Sequence, residues 1–290
     1  MAGRDVPSAL RWLIGVELSQ YRNRAGKTVA AAATHLGSSA GRLSHLETGR
    51  NQQPPGDVGK LMRFYGAGEA DVDRMVALAH TPDDQTWFAP WADVVPDWLH
   101  TLVGLERLAS KICTYSAGVF PAMLQTRGYS LGVTEGHPRV RPDHAHRMVA
   151  LRMERQRPLF ERERPTELAS FLEESVLDRP PTRDGKNGGW ELLRAQLEHT
   201  AEVAERRNIE VRVVPTSVGQ HSALAAGPFT LLSFPLAKSI CYSEIVDGAV
   251  YVSDWDQVRG YTQMVEQLQD VALSPADTVE LIRARIARLP

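Results

Sequence analysis

Leu10, Ile14, Leu18 and Tyr21 recur every three or four residues, the stripe of an amphipathic helix that stops near Ala25-Gly26. Thr28 is a hydroxyl N-cap for a second helix, which runs through the alanines at 30–33 to Leu36. After a tight turn at Gly37-Ser38, Ser39 caps a third helix that ends at Thr48 and Gly49. Two more helices are predicted over 57–65 and 70–80, separated by Gly66-Ala67-Gly68. Residues 81–97 break this periodicity with Pro82, Pro90 and Pro96 and with acidic Asp83, Asp84 and Asp93. The same stretch carries Trp87, Phe88 and Trp91, so a packed strap is expected in place of a flexible linker. Beyond it the pattern mixes periods. Helices are predicted over 98–111, 143–160, 189–207, 258–268 and 274–289, and strands over 209–214, 229–234, 240–245 and 249–253. A turn at Val246-Asp247-Gly248 joins the last two strands. The expected organisation is an all-α five-helix domain over 1–80, the strap over 81–97 and an α+β domain over 98–290.

Charge changes this picture more than composition does. The chain has 33 Lys+Arg against 35 Asp+Glu, a net charge of −2 that argues on its face against a nucleic-acid partner. The charge is segregated, however. Residues 4–63 hold nine basic side chains and four acidic ones, a net +5, which leaves −7 for the rest. Apolar stretches fall far short of the about 18 residues that span a bilayer, and Glu17 with its basic neighbours follows the short apolar segment at 10–16 too closely for a signal peptide. A cytoplasmic protein without a membrane partner is expected. Two cysteines, Cys113 and Cys241, make no disulfide framework and no C-x-x-C metal site, and both sit in apolar segments that predict buried thiols.

Residues 28–50 carry the informative motif. Two short helices meet across a turn; Ala33 is small where they cross, and Gly37 supplies the dihedrals of the turn. Leu43 and Leu46 anchor the second of these helices, leaving Arg42, Ser44 and His45 outward. This stretch, with its ending Leu46-Glu47-Thr48-Gly49-Arg50, resembles the lambda-repressor-like (Xre-type) helix-turn-helix family over about 14–66. The resemblance implies double-stranded DNA as partner, a lambda-repressor-like five-helix fold, and a homodimer on pseudo-palindromic sites with half-sites about 34 Å apart. It also implies that Glu47 pairs with Arg22 to fix the third helix. The match departs from the family at Val29, Ala40 and Gly41, where glutamine and other polar residues are common. Ala40 and Gly41 offer only contact and close approach to a base, so direct readout falls to Arg42, Ser44 and His45. Arg42 suits guanine O6/N7 and a phosphate equally. Arg50, Asn51 and Gln52, together with the helix-start amides at Thr28 and Ser39, are placed for phosphates. The alternative is an unrelated helical hairpin or a family fold that has lost DNA binding.

The second domain carries weaker signals. An ordered series, residues 118–129, Arg152–Gln156, 171–177, Gln196–His199, Val214-Pro215, 227–232 and Tyr242–Glu244, resembles the C-terminal domain of Streptomyces-type (actinobacterial) antitoxin-like regulators. That resemblance implies a regulator that senses an effector or binds a small partner protein, or an antitoxin that mainly sequesters such a partner while DNA binding is autoregulatory. Glu173, Glu174 and Glu244 are candidate acid/base carboxylates, for which pairing with Arg152, Arg155, Arg157 or Arg162 is the commoner role. Residues 139–164 hold eight arginines against four acids, a pattern that a solvated helix face with i,i+4 pairs explains. His144 and His146 point apart on a helix, and His137, His199 and His221 are scattered, so no metal, cofactor or enzymatic constellation is expected.

Overall fold

The computed structural model describes residues 7–83, 86–135, 140–182, 188–246 and 248–290. Arg4, Asp5, Asp84, His137, Arg139 and Asp247, the middle of the expected turn, lie outside them. Five helices open the chain: α1 (Ala9–Arg24), α2 (Val29–Leu36), α3 (Ala40–Glu47), α4 (Pro55–Phe64) and α5 (Glu69–Ala79). They close on a small core of Leu10, Ile14, Leu18, Ala32, Leu43, Leu46, Leu61, Met62 and Met75. The N-caps follow the sequence reading, since Thr28 Oγ1 accepts from Ala31 N and Ser39 Oγ from Arg42 N, both at 3.1 Å. Each such cap stabilises by about 1 kcal/mol.

The remainder is α+β. A six-stranded mixed sheet has the order β3-β2-β1-β4-β5-β6, built from β1 (Lys111–Ser116), β2 (Glu167–Glu173), β3 (Ile209–Val214), β4 (Phe229–Ser233), β5 (Ile240–Ile245) and β6 (Gly248–Val252). The first three strands run parallel and the last three antiparallel, with β1 and β4 joining the halves. Helices α6 (Asp97–Leu108), α7 (Arg127–Glu135), α8 (Ala145–Phe160), α9 (Gly189–Val203) and α10 (Ser222–Ala226) fill the connections, and α11 (Trp255–Val271) and α12 (Pro275–Ile286) end the chain. Both faces of the sheet are covered. Ile112, Leu168, Val211 and Leu232 face one core, whereas Cys113, Tyr115, Phe171 and Phe229 face the other.

The helix expected over 98–111 ends at Leu108, and the next residues form β1, the central strand. β2 likewise forms where no strand is expected from the sequence. Buried on both faces, these strands lack the alternation that marks a half-exposed strand, and the buried polar Thr114 and Ser170 interrupt their apolar runs. The arginine-rich helix α8 is not simply a solvated face. Arg155 makes a bidentate pair with Glu106 of α6 at 2.7 and 2.8 Å, with both side chains under 10% exposed. Arg152 reaches Gln125 and Ser130, while exposed pairs are formed by Arg157, with Glu154 and Glu161, and by Arg147, with Asp93 of the strap.

The two cores meet along α1. Its Leu10, Ile14 and Leu18 enter the small core, while Ala9 and Leu13 enter the larger one. Phe88, in the short 3-10 turn Thr86–Trp91, packs into the larger core as well. α1 and α6 cross so closely that a Cβ added at Gly104 would lie 2.5 Å from Ala9 Cβ.

Candidate nucleic-acid interface

α2 and α3 are set at their angle by Gly37, whose φ of +67° is in the left-handed region that glycine tolerates. Its successor, Ser38, donates to Ala33 O at 2.9 Å and so closes the end of α2. Leu43 and Leu46 are fully buried, and they fix the roll of α3 so that Ala40, Gly41, Arg42, Ser44 and His45 form one exposed face. Ala33 is buried beneath, as the close crossing requires.

Two contacts lock α3 against α1. Glu47 accepts from Arg22 Nε at 2.7 Å and from Arg22 Nη2 at 2.9 Å, and both side chains are about nine-tenths buried. Hydrogen bonding to Glu47 raises the Arg22 pKa against the opposing effect of burial, so the guanidinium stays charged. Arg22 Nη1 also donates to Lys27 O at 3.0 Å, tying the lock to the turn before α2. The second contact is steric. A Cβ at Gly15 would come within 2.5 Å of Glu47 O, so only glycine lets the helices approach this closely.

The loop after α3 has its own fastening, one the sequence reading missed. The buried Gln53 amide donates to Leu46 O and to Arg11 O, both at 2.8 Å. Arg50, Asn51 and Gln52 are thereby held exposed beside the end of α3. Gln53 gives no sequence signal, since its two acceptors are backbone carbonyls, one of them in another helix.

Electrostatics sharpen which cations are available. Arg42, the leading base-contact candidate, is not free: its Nη2 donates to Asp57 at 2.7 Å, at the first turn of α4. Arg11, Arg24 and Arg63 pair with Asp83, Asp256 and Glu69. Among the described residues, Lys27, Arg50 and Lys60 are the basic side chains of this segment with no carboxylate within salt-bridge distance, and all three are exposed. At the α2 and α3 starts, Thr28 and Ser39 are exposed, and first-turn amides such as those of Ala40 and Gly41 have no intrahelical acceptor.

Residues 13–75, spanning all of α2 to α4 and most of α1 and α5, match the family described as "Helix-turn-helix domain". Residues 99–284 match "Domain of unknown function (DUF5753)", well over half of the chain. The chain belongs to the DUF5753 family. In this DUF5753 protein the helix-turn-helix thus precedes an α+β domain whose family description names no activity. No curated protein and no solved structure matches the chain.

Within the DUF5753 domain the three singled-out carboxylates do not meet, and none forms a direct ion pair with an arginine of 152–162, although Glu244 stands close enough to act electrostatically on Arg152 and Arg155. Glu173 accepts from Tyr115 OH at 2.8 Å and lies 2.9 Å from His221 Nε2. His221 Nδ1 accepts from Leu224 N, capping α10, which leaves Nε2 as the donor to Glu173. Glu174 accepts from Thr216 N and pairs with Arg285, and these contacts hold its pKa below the usual carboxylate range. Glu244 is exposed. For Glu173 and Glu174 the reason is spatial. α8 leads into the start of β2, whereas Glu173 ends that strand and Glu174 follows it, about 20 Å along a seven-residue strand. Among the described residues no group of three His, Cys, Asp or Glu side chains could hold a metal, and no helix is long and apolar enough to cross a membrane. Cys113 and Cys241 are buried free thiols, each pushed up to about 12 chiefly by burial.

Proposed function

We propose that the chain is a sequence-specific transcriptional regulator of the Xre type that places α3 in the DNA major groove. One observation carries this: α3 buries Leu43 and Leu46, is locked to α1 by the Glu47–Arg22 pair, and leaves Ala40, Gly41, Arg42, Ser44 and His45 on one open face. In this reading Arg42, Ser44 and His45 read base edges, Ala40 and Gly41 permit close approach, and Arg50, Asn51, Gln52 and the amides near Thr28 and Ser39 hold phosphates. Lys27 and Lys60 add to the phosphate-facing charge. The protein acts as a cytoplasmic, non-enzymatic homodimer on pseudo-palindromic sites, since one short α3 supplies few base contacts and the acidic remainder of the chain opposes indiscriminate binding. A genome-wide chromatin-binding profile tests this by yielding an inverted-repeat motif. A flat profile contradicts it.

The DUF5753 domain, in the same reading, receives an effector or a partner protein and passes its state to the DNA-binding helices. A second reading, sequestration of a small partner protein as by an antitoxin, draws on Ile245, Val246 and Val250, large apolar side chains exposed at the β5–β6 end of the sheet. Val246→Glu and Val250→Lys separate the two: sequestration predicts loss of a co-purifying small protein with DNA affinity unchanged.

A further inference from the structure

A cavity of about 230 Å³ opens where the start of α1, the aromatic strap, α6 and the segment after α8 converge. Its apolar wall is made by Leu10, Trp87 and Phe88, and its polar wall by His100, Arg107 and Arg162. His100 stands edge-on to Phe88, with ring centroids 4.2 Å apart, and its Nδ1 is buried without a hydrogen-bond partner. Arg107 lies over the Trp87 ring, 4.8 Å from its centroid. Arg162 donates to Arg107 O at 2.7 Å and to Thr166 Oγ1 at 3.3 Å. Among the described residues neither arginine has a carboxylate partner. Burial first, and then the neighbouring charge of Arg107, depress the Arg162 pKa, which marks a cation pair short of anions. Asp83 also lines the cavity, but it is engaged by Ser8 Oγ at 2.8 Å and by Arg11 at 3.2 Å.

We infer that this cavity binds a small carboxylic acid with an apolar body, its carboxylate between Arg107, Arg162 and His100 and its body against Phe88 and Leu10. A polar atom orphaned in a cavity is a standing cost that a ligand oxygen removes, and paired guanidinium groups suit a carboxylate. Size follows from volume: an apolar cavity of about 150 Å³ takes benzene, so this one takes about ten non-hydrogen atoms. Because Ser8, Ala9 and Leu10 of the α1 start line it, occupancy is felt at the base of the helix that carries the Glu47 lock. That consequence rests on the DNA-binding reading; the binding itself does not.

The test uses the full chain without DNA, titrated calorimetrically with 3-phenylpropionate and with its neutral counterpart 3-phenylpropanol. Saturable binding of one acid per chain is expected, with the alcohol about tenfold weaker or more. Arg107→Gln, at an exposed position whose one aromatic contact is with Trp87, weakens the acid about tenfold and the alcohol by much less. Arg162→Lys, which keeps the charge and loses the fork, weakens it less; melting curves verify that both variants fold. Absence of saturation, equal binding of acid and alcohol, or wild-type affinity in Arg107→Gln overturns the site. If the acid binds as expected and operator affinity does not change, the cavity stands and its coupling to DNA falls.

Discussion

The buried carboxylate of Glu17 accepts a hydrogen bond at 2.6 Å from the backbone N–H of Lys238, joining the first helix of the DNA-binding domain to the β4–β5 loop of the second. Arg74 completes the joint. It grips Glu17 at 2.8 and 3.2 Å and donates to Leu236 O at 2.8 Å. Burial works against its charge, yet Glu17 raises the Arg74 pKa above the ordinary value. Tyr21 and Arg24 extend the contact onto Trp255, edge-on at 4.9 Å and through a cation–π contact at 4.7 Å. The two domains therefore share a polar seam that no local sequence pattern announces.

Glu17→Gln leaves Arg74 with the partly exposed Asp71 as its remaining carboxylate, 3.0 Å away, so the loss should fall below the about 3–5 kcal/mol of breaking a fully buried ion pair. Urea unfolding followed by tryptophan emission and by far-ultraviolet dichroism should show that loss as a lower midpoint than the wild-type protein. Gly104→Ala should act similarly by forcing Cβ against Ala9.

The Arg22–Glu47 pair predicts a non-additive cycle. Glu47→Gln strands a buried guanidinium and should destabilise the DNA-binding domain by about 3 kcal/mol, whereas changing both partners to methionine should cost much less. Thermal melts of the two single variants and the double variant measure the coupling. Equal costs that simply add would show the pair to be energetically idle.

Asp57 restrains Arg42, and removing it should strengthen DNA binding. An exposed ion pair is worth about 0.2–1 kcal/mol, so Asp57→Ala, which also deletes a charge repelling phosphate, should tighten binding by about two- to fivefold at low salt. Fluorescence anisotropy on labelled duplex measures this. Weaker binding would mean that DNA uses Arg42 as Asp57 now holds it.

Stability should fall on mild acidification. Burial holds the pKa values of His100 and His199 below the ordinary imidazole value. As pH drops below about 6.5 the unfolded chain takes up protons that the folded chain does not, so the folded state loses stability. Denaturant midpoints should therefore decline between pH 7.5 and about pH 5.5, before the carboxylates protonate. His199→Gln should flatten part of that decline.

The DNA-binding half was largely legible because its devices are local. Thr28, Gly37 and Ser39 act within a turn of themselves, and Leu43 with Leu46 sets the α3 face through helical spacing alone. Even Glu47 and Arg22, 25 positions apart, were reachable through the family resemblance. The second half resisted for physical reasons. β1 and β2 are buried on both sides and carry no period-two signal, and Arg155 takes a partner 49 residues away on another helix. The Arg42–Asp57 contact has no local sequence signal because exposed pairs between neighbouring helices depend on packing angle.

DNA binding through the face of α3 is tested most directly by anisotropy titrations on the operator and on random duplex, over a salt series, with wild-type protein and Arg42→Ala. The wild-type protein should prefer the operator and lose affinity steeply with salt, while Arg42→Ala should lose about 1–3 kcal/mol on the operator and relax preference at one base position. Equal affinity of the wild-type protein for operator and random DNA, or an Arg42→Ala variant that matches it on both, would contradict the account.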